Sequence, residues 1–548
     1  MKYFWNILHT NPLVTFQILL ASFLVNLLGM ASSLYAMTVY GRYLTHGITA
    51  TLYTLTGGLL IALVMEYGFR KIRYRLAESV VLKPERELGE LVFHRMNNAR
   101  TLALAQMPAD LRGAIPRHLE FSQQAFNANN LLVILDVPFA LLFVFAVFLL
   151  NPLLGLVTFL IVGGALIVTL LGGANQAQLV QHSMNSGQKQ NVLWSASNDS
   201  DTVRAFNAAP YLLGQWQNRS GLHRYIRHAM SMSQQFFMNV GQFSAGLLTV
   251  GVTGLGASQV VQGHLDIATL IGVNILAARG LMSITRLATI YSTLAQGKES
   301  RHILQQILQL PQELEQGTAI KNFSGRLEFK DVAFRFPGGS GPLFESLELL
   351  VEPGQVLVVT GGNGTGKTTL ARLLVGVLQP IRGSILADGV DVRQFFPQWW
   401  RQQLLYLPQE PFFIEGTLEE NLRLFNPNLE DVAIKQLLER AGLKEFIDQH
   451  PKGIQQELPQ GGRQISLGLR RRLALARGLA SSARIAILDE PMEGMDRAGQ
   501  ENIGQILNHL ASNGTTLIIL TKDPHLFQVK SQLLDLNVKP VPKVTSHG

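Results

Sequence analysis

The fold is decided by one stretch, LVVTGGNGTGKTTLARLLVG, which occupies Leu357–Gly376. It passes from an apolar segment through a glycine-rich turn into an amphipathic segment, the order of a strand, a loop and a helix. Within it, Gly361, Gly366, Lys367 and Thr368 form the pattern G-x-x-x-x-G-K-[ST]. Glycines let backbone N–H groups approach phosphate oxygens, and the start of a helix favours negative charge. A glycine-rich turn that arose by chance would need neither the strand nor the helix, so the stretch predicts a phosphate-binding α/β domain.

The residues of this loop have specific predicted roles. Lys367 should reach the β- and γ-phosphates of a nucleotide, and the Thr368 hydroxyl should bind Mg²⁺. Further contacts to the nucleotide are expected from the residues around them, which are Gly361, Asn363, Gly364, Thr365, Gly366 and Thr369. ATP and Mg²⁺ are therefore the expected cofactors.

A second motif, RIAILDEP at Arg484–Pro491, is an apolar strand that ends in two carboxylates. Such a strand presents Asp489 and Glu490 at its carboxyl end, where α/β sheets bind ligands. Asp489 suits a Mg²⁺ ligand, and Glu490 suits a general base that orients the attacking water. A surface turn could carry the same pattern alone, but its place after a phosphate loop favours a catalytic pair.

The chain has 548 residues and contains no cysteine. Disulfides, thiolate metal sites and a cysteine nucleophile are thereby excluded within this sequence. The formal net charge of +8 would suit a nucleic-acid partner. However, Lys and Arg lie beside long apolar stretches, where the topology of membrane proteins places them. We therefore expect a membrane protein with no nucleic-acid partner.

Apolar stretches of about 20 residues, the length that crosses a bilayer, occur in the first part of the chain. The predicted spans are Val14–Tyr35, Leu52–Phe69, Leu131–Leu150, Leu153–Gly173, Phe237–Val260 and Ile267–Leu287. The basic residues that mark cytoplasmic segments are Arg70, Lys71, Arg73, Arg75, Lys83, Arg86, Arg204, Arg219, Arg224 and Arg227. Short connections at Arg42–Ile48, Asn151-Pro152 and Gln262–Asp266 then face outward, which places both termini in the cytoplasm.

Two long polar stretches, Lys71–Asn130 and Ala174–Gln235, carry few helix breakers. We expect them to continue the membrane helices; the alternative is two independent soluble inserts, but neither stretch has an apolar core of its own. Gln305–Gly317 is polar, contains a proline and marks the predicted linker. The expected architecture is an all-α membrane domain of six helices over residues 1–310 and an α/β nucleotide-binding domain over residues 311–548. No cleaved signal peptide is expected at the start.

These motifs, together with the basic helix GRQISLGLRRRLALARGLA at Gly462–Ala480, resemble the nucleotide-binding domain of ATP-binding cassette (ABC) transporters. With the spans ahead of it, essentially the whole chain is similar to an exporter half-transporter. The resemblance implies that Gln409 contacts Mg²⁺ and the coupling helices of the membrane domain. It also implies that Phe336 stacks on adenine and that Asp496 is the D-loop aspartate. For Phe336, an ordinary strand aromatic is the alternative.

Within exporters, the membrane half is similar to that of type I secretion systems. The similarity lies in VNLLGMASSLYAMTVYGRYL at Val25–Leu44 and in ILDVPFALLF at Ile134–Phe143. It implies a multi-pass subunit in the lipid of the inner membrane that works as a dimer and exports a polypeptide. A periplasmic adaptor and an outer-membrane channel are the implied partners. Asp136 and Pro138 in the second stretch also suit the first turn of a helix, which accounts for them as well as a substrate role does.

Two positions depart from the family's pattern. The signature L-S-G-G-Q is replaced by Ile465–Leu469, which keeps Ser466 and Gly468 as contacts to the γ-phosphate held by the opposite subunit. Lys522 occupies the position of the switch histidine and offers a flexible point charge in its place. His525 fits an exposed turn better than a displaced switch. We expect a weakened nucleotide clamp.

Two functions stay open at this stage. The first is ATP-driven export, in which Glu490 and Lys522 are the catalytic residues and hydrolysis is in doubt because of the altered positions. A homodimer would carry each alteration in both sites, whereas a heterodimer partner with an intact signature could complete the site of this chain. The second is a nucleotide-binding regulatory subunit that binds ATP, hydrolyses little and pairs with a competent partner.

Overall fold

The structure is a computed structural model and describes residues 8–47, 49–172, 180, 200–339, 341–481, 483–524 and 531–547. The chain divides into two compact units. One unit holds residues 1–98 and 105–310, and the other holds residues 99–104 and 311–548.

The described chain up to residue 308 is helical apart from short connections. Its α-helices are α1 (Pro12–Gly29), α2 (Ala31–Thr38), α3 (Leu44–His46), α4 (Thr49–Asn97), α5 (Thr101–Gln106), α6 (Ala109–Ala125), α7 (Ala128–Asp136), α8 (Phe139–Leu150), α9 (Pro152–Gly172), α10 (Ser200–Ala205), α11 (Ala209–Val261) and α12 (Ile267–Leu308). A π-helical turn at Val39–Tyr43 joins α2 to α3.

Among the described residues, six helical segments are long and apolar enough to cross a membrane. They are Pro12–Tyr43, Thr49–Asn97, Ala109–Leu150, Pro152–Gly172, Arg224–Val261 and Ile267–Leu308. Each overlaps one of the spans predicted from the sequence. The predicted all-α membrane domain is therefore confirmed.

The polar stretches between spans continue the membrane helices where the structure describes them. Helix α4 runs unbroken from Thr49 to Asn97 through Pro84, and α6 and α7 lead into the third span. This confirms the prediction for Lys71–Asn130 and excludes an independent insert there. Of Ala174–Gln235, the part that follows residue 208 belongs to α11, while residues 174–179 and 181–199 lie outside the described residues.

Helix α12 supplies much of the apolar core of this unit. Its buried face recurs at helical spacing and consists largely of small and aliphatic residues, among them Gly272, Val273, Leu276, Ala277, Gly280, Leu281 and Ile284. Small side chains let helices approach closely. At Gly297, an added Cβ would collide with the Cβ of Ala125 on α6. The close approach of these two helices therefore depends on a glycine.

Two ion pairs involve residues on the second and third predicted spans. Arg73 Nη1 is 2.6 Å from Asp136 Oδ1, and both side chains are largely buried. Arg70 Nη2 is 2.5 Å from Glu66 Oε1, one turn away on the same helix. Asp136 is the last residue of α7, so the expectation that it opens a helix is wrong, and its role is to pair with Arg73. Pro138 occupies the N-cap position of α8.

The second unit is an α/β domain. Its strands are β1 (Leu327–Phe334), β2 (Phe344–Val351), β3 (Val356–Thr360), β4 (Arg382–Ala387), β5 (Val390–Asp391), β6 (Leu404–Leu407), β7 (Ile485–Asp489), β8 (Thr516–Thr521), β9 (Ser531–Asp535) and β10 (Lys543–His547). Its α-helices are α13 (Lys367–Leu374), α14 (Pro397–Gln402), α15 (Leu418–Leu422), α16 (Asp431–Arg440), α17 (Lys444–Asp448), α18 (Leu467–Leu479) and α19 (Arg497–Ser512).

The strands form two sheets. The smaller sheet is antiparallel with the order β2-β1-β4-β5, and the larger has the order β10-β9-β3-β8-β7-β6. In the larger sheet all neighbours are parallel except β10 and β9. Strands β7 and β8 are buried at every position, which explains their continuous apolar sequences. The predicted phosphate-binding α/β fold is confirmed.

The predicted linker, Gln305–Gly317, begins too early. Helix α12 continues to Leu308, and Ile307 is fully buried, so an apolar face keeps the polar residues Gln305 and Gln306 in the helix. A second difference concerns residues 99–104, which the sequence places in the membrane domain. They belong to the second unit, where Arg100 N–H donates to Pro311 O at 2.8 Å and Leu102 packs against the apolar core.

Candidate nucleotide site

The site lies where neighbouring parallel strands of the larger sheet end. The phosphate loop follows β3, Lys522 follows β8, Asp489 ends β7, and Gln409 follows β6. Register pairs such as Thr360 with Thr521 and Asp489 with Leu520 bring the strand ends level. Because the carboxyl ends of parallel strands share one edge, these distant positions become neighbours.

The phosphate loop is held in shape by its own contacts. Lys367 is the first residue of α13 and is buried, and its Nζ donates to Gly361 O at 2.5 Å and to Gly362 O at 3.2 Å. Gly366 has a φ of 111°, and an added Cβ would lie 2.7 Å from Leu343 Cδ2. Only glycine tolerates both the backbone conformation and the crowding.

The two predicted carboxylates stand beside this lysine. Glu490 Oε1 is 3.4 Å from Lys367 Nζ, and both side chains are buried. Asp489 is fully buried, and neither of its carboxylate oxygens has a hydrogen-bond partner among the described residues. Burial raises the pKa of the Asp489 carboxyl, and the charge of Glu490 adds to that rise. Buried polar atoms without partners are rare and indicate a ligand or water.

Glu490 has an unusual backbone conformation. Its φ is 51°, in the left-handed region, and its N–H donates to Leu520 O at 2.8 Å. Residues other than glycine are rare in this region, and such strain clusters at functional sites. The β8 backbone thus fixes Glu490 at the bend where β7 ends.

A cavity of about 460 Å³ brings most of the predicted site residues together. Its lining residues are Phe336, Leu343, Gly362, Asn363, Gly364, Gly366, Lys367, Thr368, Thr369, Gln409, Asp489, Glu490 and Lys522. Phe336 is 42 % exposed and meets Phe334 edge to face, with 5.0 Å between ring centroids. The Phe336 ring therefore lines the cavity and is not fully buried in the core.

The residues present fit a hydrated divalent cation. Thr368, Gln409 and Asp489 all line the cavity, and oxygen donors are what Mg²⁺ requires. Within the described residues, no group of three or more His, Cys, Asp or Glu is arranged to hold a metal alone. A cation here would therefore share its coordination with phosphate oxygens and water, as Mg²⁺ ordinarily does.

Some predicted residues do not line the cavity. Gly361 and Thr365 support the loop, since Thr365 Oγ1 donates to Gly362 O at 2.9 Å. Ser466 caps α18 by accepting from Leu469 N–H at 3.3 Å, and Gly468 follows in the first turn of that helix. Asp496 caps α19 by accepting from Gly499 N–H at 3.1 Å. Ser466, Gly468 and Asp496 are thus not brought into the cavity within this chain.

Comparison with known proteins agrees with this geometry. Residues 344–493 match the family model described as ABC transporter. The second unit therefore contains an ABC transporter nucleotide-binding domain. The alpha-hemolysin translocation ATP-binding protein HlyB of Escherichia coli O157:H7 is 25% identical over 515 residues, which is 92% of this chain and 72% of HlyB. The leukotoxin export ATP-binding protein LtxB of Aggregatibacter actinomycetemcomitans is 25% identical over 516 residues, which is 92% of this chain and 71% of LtxB.

The likeness of fold extends to both units. A bacterial Atm1-family ABC exporter with ATP bound superposes with a TM-score of 0.82 at 20% sequence identity, covering 96% of this chain and 94% of that one. The chain is thus homologous to type I secretion ATP-binding proteins, and its fold is that of an ABC exporter half-transporter. It is a multi-pass membrane protein of the inner membrane whose cassette domain binds ATP.

Two residues that contact the predicted site, Arg471 and Glu493, were not predicted from the sequence. Arg471 is fully buried, and its guanidinium donates to Gln409 O at 2.9 and 3.1 Å and to Glu493 O. Helical spacing places Arg471 on the same face as the buried residues Ala474, Leu475 and Gly478. This spacing is the feature of the sequence from which its burial could have been predicted. Glu493 accepts from Lys522 Nζ at 2.9 Å, and chiefly this bond lowers the pKa of Glu493 to about 2.

Proposed function

We propose that this ABC transporter is an ATP-driven exporter subunit that moves a polypeptide out of the cytoplasm as a dimer. The observation that carries the proposal is the single cavity lined by Lys367, Asp489, Glu490, Gln409 and Lys522. Homology to proteins whose names refer to the translocation or export of hemolysin and leukotoxin supports a polypeptide cargo. A type I secretion system, with a periplasmic adaptor and an outer-membrane channel, is the proposed setting.

Each residue of the cavity has a role in the proposed hydrolysis. Lys367 and the loop N–H groups bind the β- and γ-phosphates, and Phe336 stacks on the base. Glu490 orients the attacking water and accepts its proton, since its carboxylate is fixed by the charge of Lys367 and by the backbone N–H of Lys522, which donates to Oε2. Asp489, Thr368 and Gln409 would hold Mg²⁺, which neutralises phosphate charge when it is bound.

The proposed dimer completes each site with residues from the other chain. Ser466, Gly468 and Asp496 lie at helix starts outside the cavity, and we propose that they contact the nucleotide held by the opposite subunit. Exposed N–H groups at a helix start favour an anion, so this arrangement suits a γ-phosphate. Both a homodimer and a heterodimer with a second half-transporter satisfy this geometry.

The proposed topology assigns a task to each part of the chain. Residues 1–98 and 105–310 form the proposed membrane domain, and residues 99–104 and 311–548 form the proposed nucleotide-binding domain in the cytoplasm, where both termini also lie. The basic residues that follow the second span, such as Arg70 and Arg73, support this orientation. Labelling of single cysteines introduced into the cysteine-free chain, one near Gly263 and one near Arg335, would test it. Only the first should react with an impermeant thiol reagent in intact cells from which the outer membrane has been stripped.

The central experiment measures ATP turnover of the full chain in lipid nanodiscs, alone and with any cassette protein encoded beside it. Glu490→Gln should lower turnover by about 10²–10⁴ while ATP still binds, because a general base contributes that much. Glu439→Gln is the matched control, since Glu439 pairs with Lys444 on an exposed face. If the parent binds ATP but its turnover equals that of Glu490→Gln under every pairing, the regulatory subunit becomes the correct function.

The cargo is tested by secretion rather than by turnover. Culture supernatants of cells that carry the parent chain or Glu490→Gln would be compared by mass spectrometry. A polypeptide present only with the parent supports the proposed export. If the only difference lies in small molecules, the polypeptide assignment is wrong, although the turnover result would still stand.

A further inference from the structure

One carboxylate, that of Glu493, gathers several residues of the nucleotide site. Lys522 Nζ donates to Glu493 Oε1 at 2.9 Å, and Gln409 Nε2 donates to Glu493 Oε2 at 3.4 Å. Arg471 Nη2 also donates to Oε2, at 3.3 Å. Lys522 and Gln409 both line the cavity, whereas Glu493 does not. Glu493 thus lies behind two residues that face the nucleotide.

The carboxylate that holds Lys522 is itself anchored. The buried guanidinium of Arg471 binds the Glu493 carboxylate, the Glu493 carbonyl and the carbonyl of Gln409. Glu493 is therefore fixed at both its side chain and its backbone. An ordinary exposed ion pair lacks such an anchor and contributes little, because two long side chains must be ordered in water.

Lys522 is fixed at its other end as well. Its backbone N–H donates to Glu490 Oε2 at 3.3 Å, so the lysine starts beside the predicted base. A free lysine side chain would sample many rotamers from this position, and its charge would spend little time near any one phosphate. A pair with an anchored carboxylate removes most of that freedom.

We propose that Glu493 is a positioning residue that fixes the ammonium group of Lys522 at the γ-phosphate end of the cavity. This role rests on the proposed function of the cavity as an ATP site. Glu493 touches no reacting atom and acts through Lys522. It supplies by ion pairing the rigidity that a lysine lacks, so Lys522 contributes to the discrimination of a nucleoside triphosphate from a diphosphate.

The test is a double-mutant cycle on the full chain in nanodiscs with Mg²⁺. Equilibrium affinities would be measured by calorimetry for the β,γ-imido analogue of ATP and for ADP, so that no hydrolysis is needed. The variants are Glu493→Gln, Lys522→Ala and the double change, with Glu439→Gln as the control for an exposed ion pair. Glu493→Gln keeps the side-chain shape and leaves Arg471 its two carbonyl acceptors.

We expect the preference for the analogue over ADP to fall about tenfold in Glu493→Gln and in Lys522→Ala, which is a coupling typical of contacting charges. The double variant should equal Lys522→Ala, because the 2.9 Å bond to the lysine carries the effect, whereas the 3.4 Å contact with Gln409 is at the limit of a hydrogen bond. Glu493→Asp should recover part of the loss. The control should keep the preference of the parent.

Three results would overturn the inference. The first is a Glu493→Gln variant that keeps the parent's preference for the analogue over ADP. The second is a double variant that loses as much preference relative to Lys522→Ala as Glu493→Gln loses relative to the parent. The third is a Glu493→Gln variant whose affinities for the analogue and for ADP fall by the same factor. A parent chain that binds neither nucleotide would instead refute the proposed function. A parent that binds without turnover would refute export, and the preference would still decide the role of Glu493.

Discussion

Lys367 Nζ and Glu490 Oε1 lie 3.4 Å apart, and each side chain is less than a tenth exposed, at 8% and 6%. The lysine that we propose to bind phosphate is therefore also the counter-charge of the proposed base. We expect the pair to couple nucleotide binding to catalysis and both of them to stability. A buried charge that loses its partner is costly, whereas the loss of both charges is tolerated better.

Lys367→Ala should abolish ATP binding and lower stability by about 3 kcal/mol, because Glu490 is left buried without its cation. The double change Lys367→Ala with Glu490→Gln should recover part of that loss without restoring binding. Thermal unfolding midpoints of the full chain in nanodiscs measure the change in stability, and calorimetry measures ATP binding. A double variant less stable than Lys367→Ala would show that the pair does not carry the cost.

The backbone at Glu490 gives an independent expectation. Because its φ of 51° disfavours any side chain, Glu490→Gly should be more stable than Glu490→Ala by about 1 kcal/mol. Both variants lack the base and should be equally inactive. The difference between their unfolding midpoints measures the cost of the positive φ at position 490. Equal midpoints would mean that the bend at the end of β7 is unstrained.

Asp489 should account for the metal dependence of nucleotide binding. Its buried carboxylate oxygens have no hydrogen-bond partner among the described residues, so a cation and its water would satisfy them. We expect Mg²⁺ to raise the ATP affinity of the parent, and Asp489→Asn to lose about tenfold or more of that gain. Calorimetry with and without a chelator measures this. Asp448→Asn, at an exposed helix end, should behave as the parent does.

The ion pair between Arg73 and Asp136 should stabilise the membrane unit. The side chains are 9% and 14% exposed, so Asp136→Asn leaves a largely buried guanidinium whose other hydrogen bond within the described residues goes to Ser22 Oγ at 3.4 Å. We expect a loss of about 3 kcal/mol, and a smaller loss when Arg73→Gln is added. Glu90→Gln, which breaks the exposed pair with Arg86, is the control and should change little. Detergent unfolding midpoints that fall equally for Asp136→Asn and the control would contradict this.

The sequence predicted those parts of the site that local patterns encode. The phosphate loop and the strand that ends in Asp489 and Glu490 are contiguous motifs with their own physical logic, and the structure places them at one sheet edge. The pair of Lys522 with Glu493 is not local, because it depends on β7 and β8 being neighbours. Arg471 was missed because a basic residue in a surface-type helix is ordinarily exposed, whereas here the carbonyls it binds allow its burial.

The altered signature supplies the last expectation. Leu467 and Leu469 are both partly buried, but only Leu469 packs against the apolar core, and Leu467 joins none of the apolar clusters of the described residues. Restoring glutamine at 469 should therefore cost stability, and restoring glycine at 467 should not cost packing. The two changes do not form a single repair.

Leu467→Gly should raise ATP turnover if a leucine side chain there hinders the approach of the opposite phosphate. A restored backbone contact to a γ-phosphate contributes about 10²–10³ in rate when its geometry is good. Leu469→Gln alone should lower the unfolding midpoint, so it is informative only in combination with Leu467→Gly.

Lys522→His should lower turnover while Glu493 remains, because the anchored carboxylate is placed for a lysine. In a heterodimer the changes separate, since Lys522→His acts on the site of Glu490 and Leu467→Gly acts on the partner's phosphate loop. Turnover of each variant, with and without the candidate partner, distinguishes the cases. If Leu467→Gly leaves turnover unchanged in every pairing while nucleotide binds, the signature of this chain does not limit hydrolysis.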